Sequence, residues 1–172
     1  MKRILIAIAV LAAGCTAADS PSAPAADTRD GQIRYETTMC FGTCPVLDVM
    51  ARMDGTVTFS GFRPRVSEGD AQVTETYQVD PAVLKQLVSD LEEGGFSALL
   101  DNYNGADVCP QLATDGPSKI VTVQAGSIDK RVNYYTHCWG FEDEAKVKAM
   151  LAEVERVLMI DEKTAAYLPT DR

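Results

Sequence analysis

Apolar and polar residues alternate over Gln32–Thr38, with Ile33, Tyr35 and Thr37 set against polar neighbours, the period-two pattern of a half-buried strand. Val46–Met53 and Thr56–Phe62 are two further β-rich runs. Asp54-Gly55 between them predicts a two-residue hairpin turn, because glycine tolerates positive φ. Val73–Val79 predicts a fourth strand, with Val73, Tyr77 and Val79 as its apolar positions. Asp80-Pro81 then opens a helix, aspartate as N-cap and proline at the first position, where its missing N–H costs nothing. Val83, Leu84, Leu87, Val88 and Leu91 form one stripe of that helix, and Gly94-Gly95 ends it. Lys119–Ala125 and Ile128–Tyr135 predict a second hairpin across Gly126-Ser127. A last helix begins near Glu142-Asp143-Glu144, acids suited to the positive end of a helix dipole. Its buried face runs through Val147, Met150, Leu151, Val154, Val157 and Leu158. The order ββββ-α-ββ-α, joined by hairpins rather than βαβ crossovers, predicts an α+β fold: a mainly antiparallel sheet with two helices packed on one face.

Ahead of the first strand the pattern changes. Lys2 and Arg3 precede the uncharged run Ile4–Ala13, shorter than the roughly 20 residues that span a bilayer and suited to the apolar region of a secretory signal. Leu-Ala-Ala-Gly-Cys at 11–15 resembles the lipobox of bacterial lipoproteins. That resemblance implies a signal peptide over 1–14, cleavage before Cys15, and a lipidated (diacylglyceryl, palmitate-bearing) cysteine whose acyl chains suffice for stable attachment. Thr16 stands where an aspartate would retain such a protein in the inner membrane, so in a Gram-negative host the resemblance implies the periplasmic face of the outer membrane. Residues 15–30 hold the lipidated cysteine and a tether of Ala, Ser, Pro, Asp and Thr that cannot bury enough surface to fold. The expected organisation is completed by a single α+β domain over 31–162 and a C-terminal tail over 163–172.

Losing Lys2 and Arg3 with the signal takes the formal charge from −9 to −11. Such acidity argues against nucleic acid as a partner, which demands a basic footprint. It also disfavours electrostatic docking onto anionic lipid, leaving membrane lipid as a partner only through acylated Cys15.

With Cys15 consumed, Cys40, Cys44, Cys109 and Cys138 remain, an even count that in an exported protein reads as two disulfides of three possible connectivities. Cys40–Cys44 with Cys109–Cys138 is the preferred pairing. Residues i and i+4 of an extended strand lie roughly 13 Å apart, beyond the ~7 Å limit for a bridge, so Phe41-Gly42-Thr43 must turn. In the chain-entropy model the long bridge contributes roughly 3.6 kcal/mol and the short one roughly 2 kcal/mol. Cys40/Cys44 is the pair to suspect of redox function, although C-x-x-x-C before Pro45 and a strand differs from the C-x-x-C of thiol oxidoreductases. Cys40, Cys44, His137 and Cys138 are zinc-ligand types, but their spacing matches no finger and an oxidising compartment favours disulfides; no metal is implied. Asp101, Asp107 and Asp115 lie in the long loop Leu100–Ser118 without calcium-loop spacing, and read as solvated turn residues. No serine sits in a nucleophile elbow. Trp139, Phe141, Tyr134 and Tyr135 could line a surface, but core packing between sheet and helix is the preferred reading.

Cys40-Phe41-Gly42-Thr43-Cys44-Pro45, followed by a strand, the Asp54-Gly55 turn and a second strand, resembles the signature of the bacterial domain-of-unknown-function family DUF6438. Thr114-Asp115-Gly116-Pro117 ahead of the Lys119 strand is similar to that family's later T-D-x-P element. The resemblance spans about residues 31–160 and implies an envelope domain without transferring any catalytic residue or cofactor. The sequence therefore predicts a non-enzymatic, lipid-anchored periplasmic module that binds a protein partner or another envelope component. Its binding loops would carry Phe41, Gly42, Thr43, Thr114 and Asp115, since rigid scaffolds commonly place function on loops. The rival readings are a thiol–disulfide protein using Cys40 and Cys44, and a small-ligand binder with a pocket between sheet and helices.

Overall fold

A computed structural model describes residues 31–64 and 72–168. The chain is α+β, built on a seven-stranded, mainly antiparallel sheet of order β4-β3-β2-β1-β7-β8-β5. Its strands are β1 (Gln32–Thr37), β2 (Val46–Arg52), β3 (Thr56–Phe62), β4 (Val73–Gln78), β5 (Asn102–Tyr103), β7 (Ser118–Ala125) and β8 (Ile128–Tyr135). A two-stranded sheet pairs β6 (Gln111–Leu112) with β9 (Cys138–Trp139). The helices are α1 (Pro81–Glu93), α2 (Glu144–Val157) and α3 (Ile160–Tyr167). No helix among the described residues is long and apolar enough to cross a membrane.

β1 lies at the centre of the sheet, antiparallel to both neighbours: Ile33 pairs with Ala51 and Val123, Tyr35 with Val49 and Val121. Those residues, with Val57 and Phe59 of β3, are buried. The alternate positions carry a polar face, where Arg34 donates from Nε and Nη2 to both carboxylate oxygens of Asp48 at 2.8 and 2.7 Å. Tyr35 Oη donates to Glu155 of α2 at 2.6 Å, and Lys119 pairs with the same carboxylate oxygen at 2.6 Å. Burial first, and the neighbouring Glu155 second, push the Tyr35 hydroxyl far above its usual range, so it stays a donor. Tyr167 of α3 stands edge-on to Phe59 at 5.4 Å.

The Asp80 cap is formed as expected, its side chain accepting from Ala82 N at 2.8 Å. Elsewhere the structure corrects the reading. Met53-Asp54-Gly55 is a three-residue loop: Gly55 N donates to Arg52 O at 2.9 Å, and Gly55 follows that turn at φ +95°. Gly126-Ser127 does make a two-residue turn, with Gly126 at φ +60°. Val83 is exposed rather than part of the buried stripe, since the stripe needs only Leu84, Leu87, Val88 and Leu91. Among the described residues three α-helices stand where two were expected. Met159, at φ +55°, ends α2 and redirects the chain into α3, whose only fully covered helical residue is Ile160. Residue 162 lies within α3, and buried Leu168 continues the core beyond that helix. The long loop after α1 contributes β5, which pairs parallel with β8, and β6.

Gly55 and Gly105 separate backbone strain from collision. Both have positive φ, but a Cβ at Gly55 would strike the Val79 carbonyl whereas one at Gly105 meets nothing within 4 Å. Gly105→Ala should cost about 1–2 kcal/mol in urea unfolding, and Gly55→Ala at least about 1 kcal/mol more. Equal losses would contradict the packing of the β2–β3 turn against the start of α1.

Candidate functional site

The end of β1 opens into a loop that is tied down on every side. The Thr37 hydroxyl donates to Pro45 O at 2.7 Å and accepts from Leu47 N at 2.9 Å, closing the mouth of the loop. Thr38 N donates to Ser118 O at 3.1 Å and its hydroxyl accepts from Ser118 N at 2.8 Å, carrying the β1–β7 pairing one step further. Between these anchors residues 41–43 bend, as the four-residue spacing requires, and Cys40 and Cys44 form a disulfide with Cα atoms 5.8 Å apart. Cys44 N donates to Cys40 Sγ at 3.3 Å. Arg63 Nη1 donates to Thr43 O at 2.9 Å while its Nε donates to Leu168 O at 3.1 Å, linking the loop to the end of α3.

Phe41 N donates to Asp115 O at 3.1 Å and joins this loop to a second one. Asp115 sits at φ +72°, a left-handed conformation that aspartate tolerates better than most residues. Thr114 O lies 2.9 Å from His137 Nδ1. A carbonyl can only accept, so Nδ1 carries a proton and donates. Gly116 N donates to Tyr135 Oη at 3.0 Å, and Thr136 donates to Pro117 O from its N–H at 3.0 Å and its hydroxyl at 2.8 Å. Gly116 lies so close to His137 that a Cβ there would stand 2.7 Å from the ring. The second disulfide, Cys109–Cys138, has Cα atoms 5.1 Å apart and staples the long loop to β9.

Phe41, Gly42, Thr43, Thr114 and Asp115 therefore belong to one cluster of two loops, one closed by the Cys40–Cys44 disulfide and the other carrying Cys109 of the second. Phe41 is 78% exposed, Met39 61% and Leu112 48%, three large apolar residues in segments that the cluster braces. The aromatic group divides between two environments. Phe141 and Tyr134 are buried with Tyr103, whereas Tyr135, His137 and Trp139 are half-exposed and in ring contact at 5.9 and 5.5 Å. Asp101 stays apart, paired with Lys130, and Asp107 is exposed on the long loop. Among the described residues no group of three or more His, Cys, Asp or Glu is placed to hold a metal. The cysteines of the considered zinc set are held in two different disulfides. The hydroxyls of Thr37, Thr38, Thr136 and Tyr135 all bond backbone groups, so they brace loops.

The sequence does not mark Thr37 or Arg63 as site residues, whereas Gly116 falls in the T-D-x-P element and Tyr135 in the aromatic group read as core packing. Thr37 carried only a strand signal, and nothing local marks Arg63 as a partner of Thr43. Cys15 and the tether lie outside the described residues.

The family model of a domain of unknown function, DUF6438, matches residues 31–158. No curated protein matches the chain.

The bridges differ in setting: Cys109 is 3% and Cys138 0% exposed, whereas Cys40 and Cys44 are half-buried. Replacing Cys109 and Cys138 together by alanine should cost roughly 3.6 kcal/mol or more, and Cys40 with Cys44 roughly 2 kcal/mol. Urea unfolding of the two double variants measures both. A larger loss at the short bridge would contradict the loop-staple role of the long one.

Proposed function

This chain belongs to the DUF6438 family, and from that premise we propose that it is a non-enzymatic envelope module, lipid-anchored through Cys15, that binds a protein partner through its braced loops. The observation that carries this reading is the exposure of Met39, Phe41 and Leu112 on segments whose backbones are pinned by hydrogen bonds and disulfides. Rigid presentation reduces the ordering cost that a mobile loop would incur on association, and exposed aromatic side chains are frequent anchors of interfaces. The lipobox-like residues 11–15 support export and anchorage at the periplasmic face of the outer membrane.

A photo-crosslinking residue at position 41 in the anchored protein should capture a discrete partner that the same residue at position 83 on α1 does not. Phe41→Ala and Thr43→Ala should each release that partner from a pull-down. Identical capture from both positions, or an unchanged pull-down after both substitutions, would contradict the reading.

One observation favours the thiol–disulfide reading as second choice. The Cys44 N–H on Cys40 Sγ would stabilise a Cys40 thiolate once the bridge opened. A reduction potential below about −300 mV marks a structural bridge, and a value near those of oxidoreductases would move the assignment to redox chemistry.

A further inference from the structure

In three places among the described residues an Asn or Asp precedes glycine: Asp54-Gly55, Asn104-Gly105 and Asp115-Gly116. Such pairs share one reactivity. The glycine nitrogen can attack the side-chain carbonyl carbon ahead of it and close a cyclic imide, because glycine brings no Cβ into the approach. The structure separates the three pairs by what that nitrogen is already doing. Gly55 N donates to Arg52 O at 2.9 Å, and Gly116 N donates to Tyr135 Oη at 3.0 Å. Gly105 N donates to no group among the described residues, and the Asn104 side chain has no hydrogen-bond partner there either. Both residues are exposed, and a Cβ built on Gly105 would meet nothing within 4 Å. The chain on either side is fixed. Tyr103 is buried in β5, paired with Tyr134, and Gly105 O accepts from Cys109 N at 3.0 Å. Asn104 is therefore the joint between two held segments, with both reacting groups in solvent. Asn102 and Asn133, by contrast, precede tyrosines and lie in strands paired with one another.

We propose that Asn104 is a site of spontaneous modification in the folded protein, deamidating through an imide to a mixture of aspartate and isoaspartate. Gly105 N forms a bond to Asn104 Cγ and gives up its proton to water, while Asn104 Nδ2 leaves as ammonia. A second water then adds to one carbonyl carbon of the imide and breaks that carbon's bond to Gly105 N. Opening at Cγ gives aspartate. Opening at the main-chain carbon gives isoaspartate, whose backbone runs through Cβ and Cγ. Water is the only co-reactant. Either product adds one negative charge to a loop that already carries Asp101 and Asp107. Isoaspartate also inserts one carbon into the chain between β5 and the turn that begins at Gly105. The Cys109–Cys138 disulfide keeps that turn attached to β9, so the fold tolerates the lengthening. The inference does not depend on the partner binding proposed for the braced loops.

Peptide mapping of the disulfide-bonded protein, incubated near neutral pH beside a urea-unfolded sample, tests the proposal. Mass spectrometry reads the amide-to-acid change, and labelling by an isoaspartyl methyltransferase reads isoaspartate. Both signals are expected at position 104, while Asn102 and Asn133 stay amides over the same period. Folding should slow isoaspartate formation at Asp54 and Asp115 about tenfold or more, since each glycine N–H must first be released by local opening. At Asn104 it should slow the reaction less than about threefold, since an exposed turn opens at little cost. Asn104→Gln should remove both signals from that peptide and leave the unfolding midpoint unchanged. The proposal is overturned if the folded protein keeps Asn104 as an amide while the unfolded chain converts. It is equally overturned if folding slows Asn104 as much as Asp54 and Asp115, if Asn102 or Asn133 converts as fast, or if the signals persist in Asn104→Gln.

Discussion

β1 is paired on both edges, with β2 on one side and β7 on the other, and the position of every distinctive feature depends on that double register. A slip of one residue would turn Ile33 and Tyr35 out of the core and bring Arg34 and Glu36 into it. Two independent pairings oppose the slip: the apolar contacts of the buried face, and the bidentate Arg34–Asp48 pair on the polar one. The pair is partly exposed and contributes little stability by itself, but its fork geometry fits one register. Because β1 is central, its two ends fix what meets at each end of the sheet. One delivers the Cys40–Cys44 loop onto the entrance of β7, and the other meets the two hairpin turns that pack against α1.

At the cysteine end, rigidity comes from hydrogen bonds as much as from sulfur. Thr37, Thr38, Tyr135 and Arg63 each bond a loop backbone, and Phe41 N ties the two loops to one another. The buried Cys109–Cys138 bridge fixes the long loop to β9, beside the His137 and Trp139 rings. Exposed apolar residues on so firm a base are unusual for a solvated loop, where backbone mobility is the common state. The hydroxyls of Thr37, Thr38, Thr136 and Tyr135 are committed to backbone groups, which suits them to bracing the loops.

Much of this architecture was legible in the sequence. Alternation over Gln32–Thr38, the Asp80-Pro81 start and the paired runs around Gly126-Ser127 all carry local signals that the structure follows. α3 has no such signal, because Ile-Asp-Glu-Lys-Thr-Ala-Ala-Tyr lacks an apolar stripe and its ends are set by Met159 and by Tyr167 on Phe59. β5, β6 and β9 are two-residue strands whose existence depends on partners distant in sequence. At the site, the cysteines announced themselves by number and spacing. The Phe41–Asp115 and Arg63–Thr43 bonds did not, because they join segments that meet only once β1 has paired with β2 and β7.

The central claim is that the loops at the end of β1 are held rigidly by one another and by the short disulfide. Amide hydrogen exchange at Phe41, Thr38, Ser118 and Gly116 tests it most directly, in the oxidised protein and in a Cys40→Ala, Cys44→Ala double variant. The account predicts slow exchange at all four amides in the oxidised protein, with loss of protection at Phe41 first when the bridge is removed. Exchange at Phe41 and Gly116 as fast as in an unstructured peptide, with the disulfides intact, would contradict it.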